Sequence, residues 1–225
     1  LTQSFKDVKK LQINYAVKAS SNISILKYLI NMGAGIDAVS IQEVKLATRA
    51  GVAPEKIIYT PNGVSLDEIE KVAKIGAKIN IDNLSVLEEF GNKHKNNPVC
   101  IRINPHIMAG GNSKISVGHI DSKFGISIHQ APHIERIVKN TGLLINGVHM
   151  HTGSDILDID VFLNASEIFF SNSSKVNSVK KLFINREDSF VFDCYEINKA
   201  TKIKILNLFL NDNNITTTKY MTVKN

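Results

Sequence analysis

A lysine at the end of a short apolar run is the residue of this chain most able to do chemistry. Lys18 directly follows Tyr15-Ala16-Val17, a run that is typical of a β-strand. Partial desolvation at a strand end favours the neutral amine, which is the nucleophile that forms a Schiff base with an aldehyde. A lysine that extends its ammonium group from a strand end into water gives the same pattern. The residues alone leave both readings open.

Six other polar or charged side chains stand at the ends of predicted strands. In a parallel α/β barrel the chemistry lies where strands end and the following loops begin, so these side chains would converge on one mouth. Acids, an arginine and two histidines at one mouth are the composition of a site rather than of a packed core. Singly, each has a structural alternative, since an aspartate caps a helix and an arginine joins a surface ion pair. The six residues are Asp37, Asn62, Asp82, Arg102, His149 and His151.

The elements that must position these residues alternate along the front of the chain. Short apolar runs predict the strands, and apolar spacings of three and four residues predict the helices between them. The predicted strands are 11–17, 36–39, 56–59, 78–81, 99–103 and 143–149. The predicted helices are 23–32, 41–50, 65–75, 85–90 and 133–140, with Ser65 as an N-cap and Glu68 in the capping-box position.

This alternation predicts a parallel sheet with helices between its strands. A doubly wound dinucleotide-binding fold is disfavoured, because the turn at 18–22 has no glycine where such a fold needs a glycine-rich fingerprint. A (β/α)8 barrel fits better, although such barrels typically need about 250 residues. We therefore expect an α/β fold, a partial (β/α)8 barrel that ends near its sixth strand.

Six segments, in order along the chain, carry sequence motifs. They are YAVKA at 15–19, GIDAVS at 35–40, KIIYTPNGVS at 56–65, RINP at 102–105, GHIDSKFGI at 118–126 and GVHMHTGS at 147–154. Together they resemble the motifs of the pyridoxal-phosphate-dependent decarboxylases with an alanine-racemase-like barrel, and within that family the diaminopimelate decarboxylases most. The resemblance covers roughly residues 12–170. One such motif would be weak, but six in order are specific.

The resemblance implies pyridoxal 5'-phosphate as the cofactor and assigns roles to five residues. Lys18 would hold the cofactor covalently and later assist reprotonation of the substrate carbon. His151 would stack on one face of the pyridine ring, and Ser154 would lie near the phosphate. Asp37 and Arg102 would line the cofactor pocket. The resemblance implies no metal.

The resemblance also implies a reaction and partners. The reaction is decarboxylation of meso-2,6-diaminopimelate to L-lysine, a step of lysine biosynthesis, with ornithine or arginine decarboxylation as the alternative. The partners are a small amino-acid substrate and, for a full-length parent, a second copy in a homodimer. His149 and Lys123 stand in matching motifs, and we assign them only to shaping the pocket.

The chain departs from the family pattern after Gly153. It has no glycine-rich phosphate loop there, no EPGR-like segment whose glutamate pairs with the pyridine nitrogen, and no C-terminal β domain. Without that glutamate the electron sink is weak, and without the loop the cofactor is poorly held. We therefore expect little or no decarboxylase activity from this chain. A non-catalytic pyridoxal-phosphate-binding barrel and an inactive remnant of a decarboxylase remain alternatives.

A metal-dependent hydrolase is a weaker alternative. His149 and His151 share one face of a strand, as in the HxH pair of amidohydrolase barrels. Those barrels place the pair on the first strand and need further histidine and aspartate ligands downstream. No histidine follows His151, so the ligand set of a catalytic metal is incomplete.

Composition and charge exclude several other classes. Of the 225 residues, 43% are hydrophobic and 21% are charged, which is typical of a globular protein. Two cysteines exclude a disulfide scaffold, and no stretch has the roughly 18 apolar residues of a membrane helix. Residues 171–225 carry +4 of the formal net charge of +6, so charge gives no case for nucleic acid. We expect a cytoplasmic protein that binds neither nucleic acid nor membrane.

A break in composition divides the chain. All 13 glycines and all five prolines precede residue 154, and the chain then becomes rich in asparagine, lysine, serine and threonine. We assign residues 1–170 to an incomplete barrel domain and residues 171–225 to a polar tail that does not pack as a barrel segment. The tail is either a poorly ordered extension or sequence foreign to the domain, as after a frameshift; we favour the second reading. Because the chain begins with leucine, we expect a fragment or a processed piece.

Overall fold

The computed structural model describes residues 12–104, 106 and 124–151, together with the backbone of residues 189–193. Its strands are β1 Asn14–Ala16, β2 Gly35–Ala38, β3 Ile57–Tyr59, β4 Lys78–Ile81, β5 Val99–Asn104, β6 Ile126–Ser127, β7 Ile145–His151 and β8 Ser189–Asp193. Its helices are α1 Ile23–Asn31, α2 Ile41–Ala50, α3 Leu66–Ile75, α4 Leu84–His94 and α5 Ala131–Thr141. Short 3₁₀ turns at Val17–Ala19, Pro54–Lys56 and Ile128–Gln130 join some of these elements.

The strands form one parallel sheet in the order β1-β2-β3-β4-β5-β7-β8, and the two-residue β6 pairs with the end of β5. Each described pair of neighbouring strands is parallel, as a βα alternation requires. The predicted α/β architecture is thereby confirmed, and each predicted strand overlaps an observed one. In the described part of the chain β1 and β8 each have a single neighbour, so the sheet is open there.

Strand β8 corrects one expectation. Residues 189–193 lie in the segment assigned to a tail outside the barrel, yet they pair in register with β7, from Gly147 opposite Ser189 to His151 opposite Asp193. Two factors favour this pairing: the β-propensity of Phe190-Val191-Phe192 and the otherwise unpaired edge that β7 offers. The rest of 171–225 lies outside the described residues, and its assignment stays a prediction.

One face of the sheet, here called the outer face, is apolar and packs against the helices. Its side chains form a single buried core with residues of the helices such as Leu26, Val44, Val72 and Phe90. Burial of this kind stabilises a parallel sheet, which needs helices to cover it. The strand residues of the outer face are Ile36, Ala38, Ile57, Tyr59, Ile79, Ile81, Val99, Ile101, Ile103, Ile145, Val148 and Met150.

The opposite face, here called the inner face, is polar although it is buried. Because side chains alternate along a strand, the residues between the outer-face positions point the other way. The register places Asn80 beside Cys100 and Arg102 beside His149 across neighbouring strands. The buried inner-face residues are Asp37, Ile58, Thr60, Asn80, Cys100, Arg102, Asn104 and His149. The sheet therefore buries polar side chains on its inner face, where a polar ligand could pair with them.

The helix starts match the predicted caps with one correction. Ser65 accepts a hydrogen bond from the backbone N–H of Glu68 (3.4 Å), as an N-cap does. The Glu68 carboxylate does not complete the expected capping box. Its Oε1 instead accepts from the Ile41 N–H (3.0 Å) and from the Tyr59 hydroxyl (2.7 Å). The carboxylate turns away because the first turn of α2 and the buried hydroxyl offer it two donors.

No helix in the described part of the chain is long and apolar enough to span a membrane. The same residues include no group of three or more histidine, cysteine, aspartate or glutamate side chains that could hold a metal ion.

Candidate functional site

Lys18 lies in the 3₁₀ turn that directly follows β1, as the sequence predicts. The Tyr15 hydroxyl donates to the Ser20 carbonyl oxygen (3.5 Å) and braces this turn. Lys18 is exposed in the described structure. Lys18 is therefore accessible to solvent at the end of β1.

Asp37 lies on the strand beside Lys18 and belongs to the inner face. The register pairs Asp37 with Ala16, two residues before Lys18. Asp37 is 9% exposed, and its Oδ1 accepts a hydrogen bond from the Thr60 hydroxyl (2.8 Å). Because Ser40 is the N-cap of α2, Asp37 is not the helix cap that its sequence position also allowed.

Arg102 and His149 occupy the inner face on neighbouring strands. They are directly opposite in the register of β5 and β7, and they are 6% and 1% exposed. The Arg102 guanidinium carbon lies 5.0 Å from the centre of the Phe124 ring, within the range of a cation–π contact. Arg102 is thus buried, and the alternative of a surface ion pair is wrong.

Gly125 lets the described segment that begins at Phe124 approach β5 closely. Its φ of +81° lies in the left-handed region, and a Cβ there would come within 3.0 Å of the Asn104 backbone nitrogen. A larger residue would therefore push this segment, with Phe124, away from the strand that holds Arg102. The Phe-Gly pair of the motif at 118–126 has a structural meaning, which is to place an aromatic ring on Arg102.

The remaining candidate residues fall into three groups. His151 ends β7 on the inner face and is half-buried, so the structure brings it to the same mouth as His149. Asn62 and Asp82 bind each other at the exposed rim (2.6 Å) rather than joining the inner face, and Asn83 rather than Asp82 caps α4. Ser154 and Lys123 lie outside the described residues.

Sequence reasoning missed Thr60 and Asn80, the two polar residues that extend the inner face between Asp37 and Arg102. The Asn80 amide donates to the Thr60 hydroxyl (3.3 Å), and Asn80 is only 1% exposed. A signal was present, because Asn80 interrupts the apolar run from Ile79 to Ile81 at the same period of two as Asp37.

Two further buried groups have perturbed acidity. Burial and the neighbouring Glu68 carboxylate raise the pKa of the Tyr59 hydroxyl well above its ordinary range. Burial likewise raises the pKa of the Cys100 thiol, so this inner-face cysteine stays protonated at neutral pH. Neither group is poised as a nucleophile.

The other histidines make local contacts. His94 binds Glu70 (3.0 Å) and packs on the Phe90 ring, and this hydrogen bond lowers the pKa of Glu70. His106 binds the Ser127 hydroxyl (2.6 Å) and stacks on His129.

The described residues form part of a parallel α/β barrel domain. It has a lysine after its first described strand and buried polar side chains on its inner face. The chain belongs to the pyridoxal-dependent decarboxylase family, because the family's pyridoxal-binding domain matches residues 1–181. Pyridoxal phosphate is the cofactor of this domain.

Individual relatives agree with the family. The diaminopimelate decarboxylase of Methanothermobacter thermautotrophicus is 34% identical over 172 residues, which are 76% of this chain and 40% of that protein. The solved diaminopimelate decarboxylase of Helicobacter pylori with L-lysine superposes with a TM-score of 0.64 at 24% identity, over 86% of this chain and 59% of that one. The Paramecium bursaria Chlorella virus arginine decarboxylase gives 0.66 at 19% identity, over 93% and 56%. At these identities the two superpositions show the shared fold alone.

The chain spans about two fifths of the length of the curated relatives that it matches. The match therefore concerns the domain that binds the cofactor.

Proposed function

We propose that this chain is the cofactor-binding part of a decarboxylase that converts meso-2,6-diaminopimelate to L-lysine and carbon dioxide. One observation carries the proposal: a single sheet face holds buried Asp37, Arg102 and His149 beside the strand end that presents the accessible Lys18. The similarity to diaminopimelate decarboxylases supports the substrate.

The described residues fit pyridoxal phosphate. Lys18 offers an accessible primary amine to its aldehyde, and Arg102 and Asp37 offer opposite charges to its polar substituents. Asn80 Oδ1 is buried and has no hydrogen-bond partner among the described residues, which leaves an acceptor for a polar ligand. A face of this kind favours a polar, hydrogen-bonding ligand, because an apolar one would leave these groups unpaired.

These positions and the motif resemblance support the following roles for the chain's own residues. Lys18 would hold the cofactor through its amine and would move a proton at the substrate α-carbon. Asp37 and Arg102 orient the bound molecule from the inner face, and His151 covers it from the end of β7. Ser154 is proposed as a phosphate contact on resemblance alone. The chemistry supplied by the bound cofactor is uptake of the electron pair left when carbon dioxide departs.

Decarboxylation of ornithine or arginine is the second candidate, because the fold is shared with an arginine decarboxylase. The groups that distinguish these substrates recognise the far end of the molecule, where diaminopimelate carries a second carboxylate and arginine a guanidinium. We further propose that residues 1–170 form the barrel domain, to whose sheet β8 adds one strand, and that the full-length parent is a homodimer acting on this small amino acid.

Two measurements test the proposal. Pyridoxal phosphate added to the purified chain should produce an absorbance band distinct from that of the free cofactor, and a chain that gives no such band would contradict cofactor binding. Carbon dioxide release by the full-length parent should be faster with meso-diaminopimelate than with ornithine or arginine. The opposite order would replace the substrate, and turnover by the 225-residue chain itself at an ordinary enzyme's ~1–10³ per second would refute its expected inactivity.

A further inference from the structure

Three inner-face residues form a continuous chain of hydrogen bonds across three strands. The Asn80 amide on β4 donates to the Thr60 hydroxyl after β3 (3.3 Å), and that hydroxyl donates to Asp37 Oδ1 on β2 (2.8 Å). All three side chains are buried. The backbone fixes Thr60 as well, because its N–H donates to the Ala38 carbonyl oxygen (2.8 Å).

The direction of the donors is determined by the groups present. A threonine hydroxyl has one proton, and an ionised carboxylate can only accept. If the Asn80 carbonyl faced Thr60, the hydroxyl proton would turn to Asn80, and a hydroxyl lone pair would face Asp37 Oδ1. Two acceptors would then be in contact inside the protein, which is unfavourable. The Asn80 N–H therefore occupies the hydroxyl's lone pair and directs its proton at Asp37.

This chain of donors constrains the carboxylate that lies beside the strand of Lys18. A hydrogen bond to one carboxylate oxygen restricts rotation of the group and favours its ionised form. The register places Asp37 opposite Ala16, two residues before Lys18. A cofactor attached at Lys18 would therefore meet a carboxylate whose rotation the Thr60 hydroxyl restricts.

We propose that Thr60 and Asn80 are positioning residues, which act through Asp37 to orient its carboxylate for the cofactor attached at Lys18. This inference rests on the proposed function, since it requires the cofactor to bind at Lys18. It assigns a role to the Thr60 hydroxyl, which acts through Asp37, and to the Asn80 amide N–H, which acts through Thr60.

The test compares pyridoxal phosphate binding by the full chain and its variants. Thr60→Val keeps the shape of the side chain and removes the donor, so the dissociation constant should rise about tenfold and the absorbance band of the bound cofactor should shift. Thr60→Ser should restore both. Thr48→Val removes a hydroxyl that donates to the Val44 carbonyl oxygen on α2, and it should leave both unchanged.

Further variants separate positioning from a general effect on folding. Asn80→Leu removes the remote donor together with the unpaired Asn80 Oδ1, so it should also weaken cofactor binding, which keeps the test informative if Thr60→Val does not fold. In an Asp37→Asn background Thr60→Val should have little further effect, because the carboxylate on which it acts is gone.

The outcomes distinguish the inference from the proposed function. If the unmodified chain binds the cofactor and Thr60→Val binds it equally with the same band, the inference is overturned and the proposed function stands. An equal loss with and without Asp37→Asn would also overturn it. If the unmodified chain does not bind the cofactor, the proposed function fails and this inference fails with it.

Discussion

The two faces of the sheet come from the same strands and differ in what they do. Along β5 the outer-face residues Val99, Ile101 and Ile103 join the hydrophobic core, whereas Arg102 and Asn104 lie buried on the polar inner face. Burial of apolar area stabilises the fold, while burial of polar groups costs free energy unless they are paired. A bound ligand can satisfy buried polar groups that lack a partner in the protein. We therefore propose that the outer face stabilises the fold and that the inner face binds the cofactor.

The largest loss of stability should come from the core between the outer face and the helices. Phe90 is fully buried on α4 within the apolar core. Phe90→Ala leaves a cavity, so the free energy of unfolding should fall by about 3–5 kcal/mol in chemical denaturation. Met32→Ala, at a side chain that is 66% exposed, serves as the control and should change it little. Similar losses from both variants would contradict the position of the core.

A smaller loss of unfolding free energy should follow where the segment that begins at Phe124 meets β5. Gly125→Ala forces a Cβ into a positive φ and against the Asn104 backbone, so stability should fall by about 1–3 kcal/mol. Gly63 also has a positive φ, but a Cβ there meets nothing within 4 Å. Gly63→Ala should therefore cost less in the same denaturation experiment. Equal costs would show that the close approach to β5 contributes nothing.

Tyr59 places a polar hydroxyl on the otherwise apolar outer face. The Tyr59 hydroxyl donates to the Glu68 carboxylate at 2.7 Å within the core between β3 and α3. Tyr59→Phe removes a hydrogen bond to a charged group and should cost about 1–2 kcal/mol of unfolding free energy. The Tyr15 hydroxyl makes only a 3.5 Å contact with Ser20, so Tyr15→Phe should cost less. A larger loss from Tyr15→Phe would show that the Glu68 contact is not stabilising.

The smallest change in stability should come from Glu70 on α3, which contacts His94 on α4 and belongs to neither face of the sheet. The hydrogen bond with His94 and the nearby Lys93 lower the pKa of Glu70. A carboxylate with a depressed pKa stabilises the fold above its unfolded pKa, and this contribution is lost as pH falls through the folded pKa. The stability advantage of the unmodified chain over Glu70→Gln should therefore be present near neutral pH, decline below the pKa of about 4.3 of an unfolded glutamate, and be lost as pH falls through the lowered pKa of Glu70. In a His94→Gln background the pH dependence of that advantage should be reduced, and an unchanged dependence would assign it to other groups.

Much of the fold could be predicted from sequence because the hydrophobic period of each element agrees with the capping and turn residues at its ends. The apolar runs at 78–81 and 99–103 and the Ser65 cap identified strands and a helix within a few residues of the observed bounds. Strand β8 could not be predicted in this way, since pairing of residues 189–193 depends on the free edge of β7 rather than on a local cap or turn.

The candidate site was only partly accessible to sequence reasoning. Lys18, Asp37 and Arg102 could be found because they end strands in matching motifs. The exclusion of Asn62 and Asp82 from the inner face could not, because their mutual hydrogen bond at the rim depends on loop geometry. Thr60 was missed because no local sequence pattern marks it. Its importance comes from the hydrogen bond to Asp37, a contact between residues distant in sequence.

Mapping the attachment site of pyridoxal phosphate tests the central claim most directly. The full chain is incubated with the cofactor, reduced with borohydride, digested and analysed by mass spectrometry, with Lys18→Ala as the matched control. The account predicts a reduced adduct on Lys18 in the unmodified chain and no comparable adduct in the Lys18→Ala chain. An adduct at another lysine, or equal labelling of the two chains, would contradict the assignment of chemistry to the inner-face mouth.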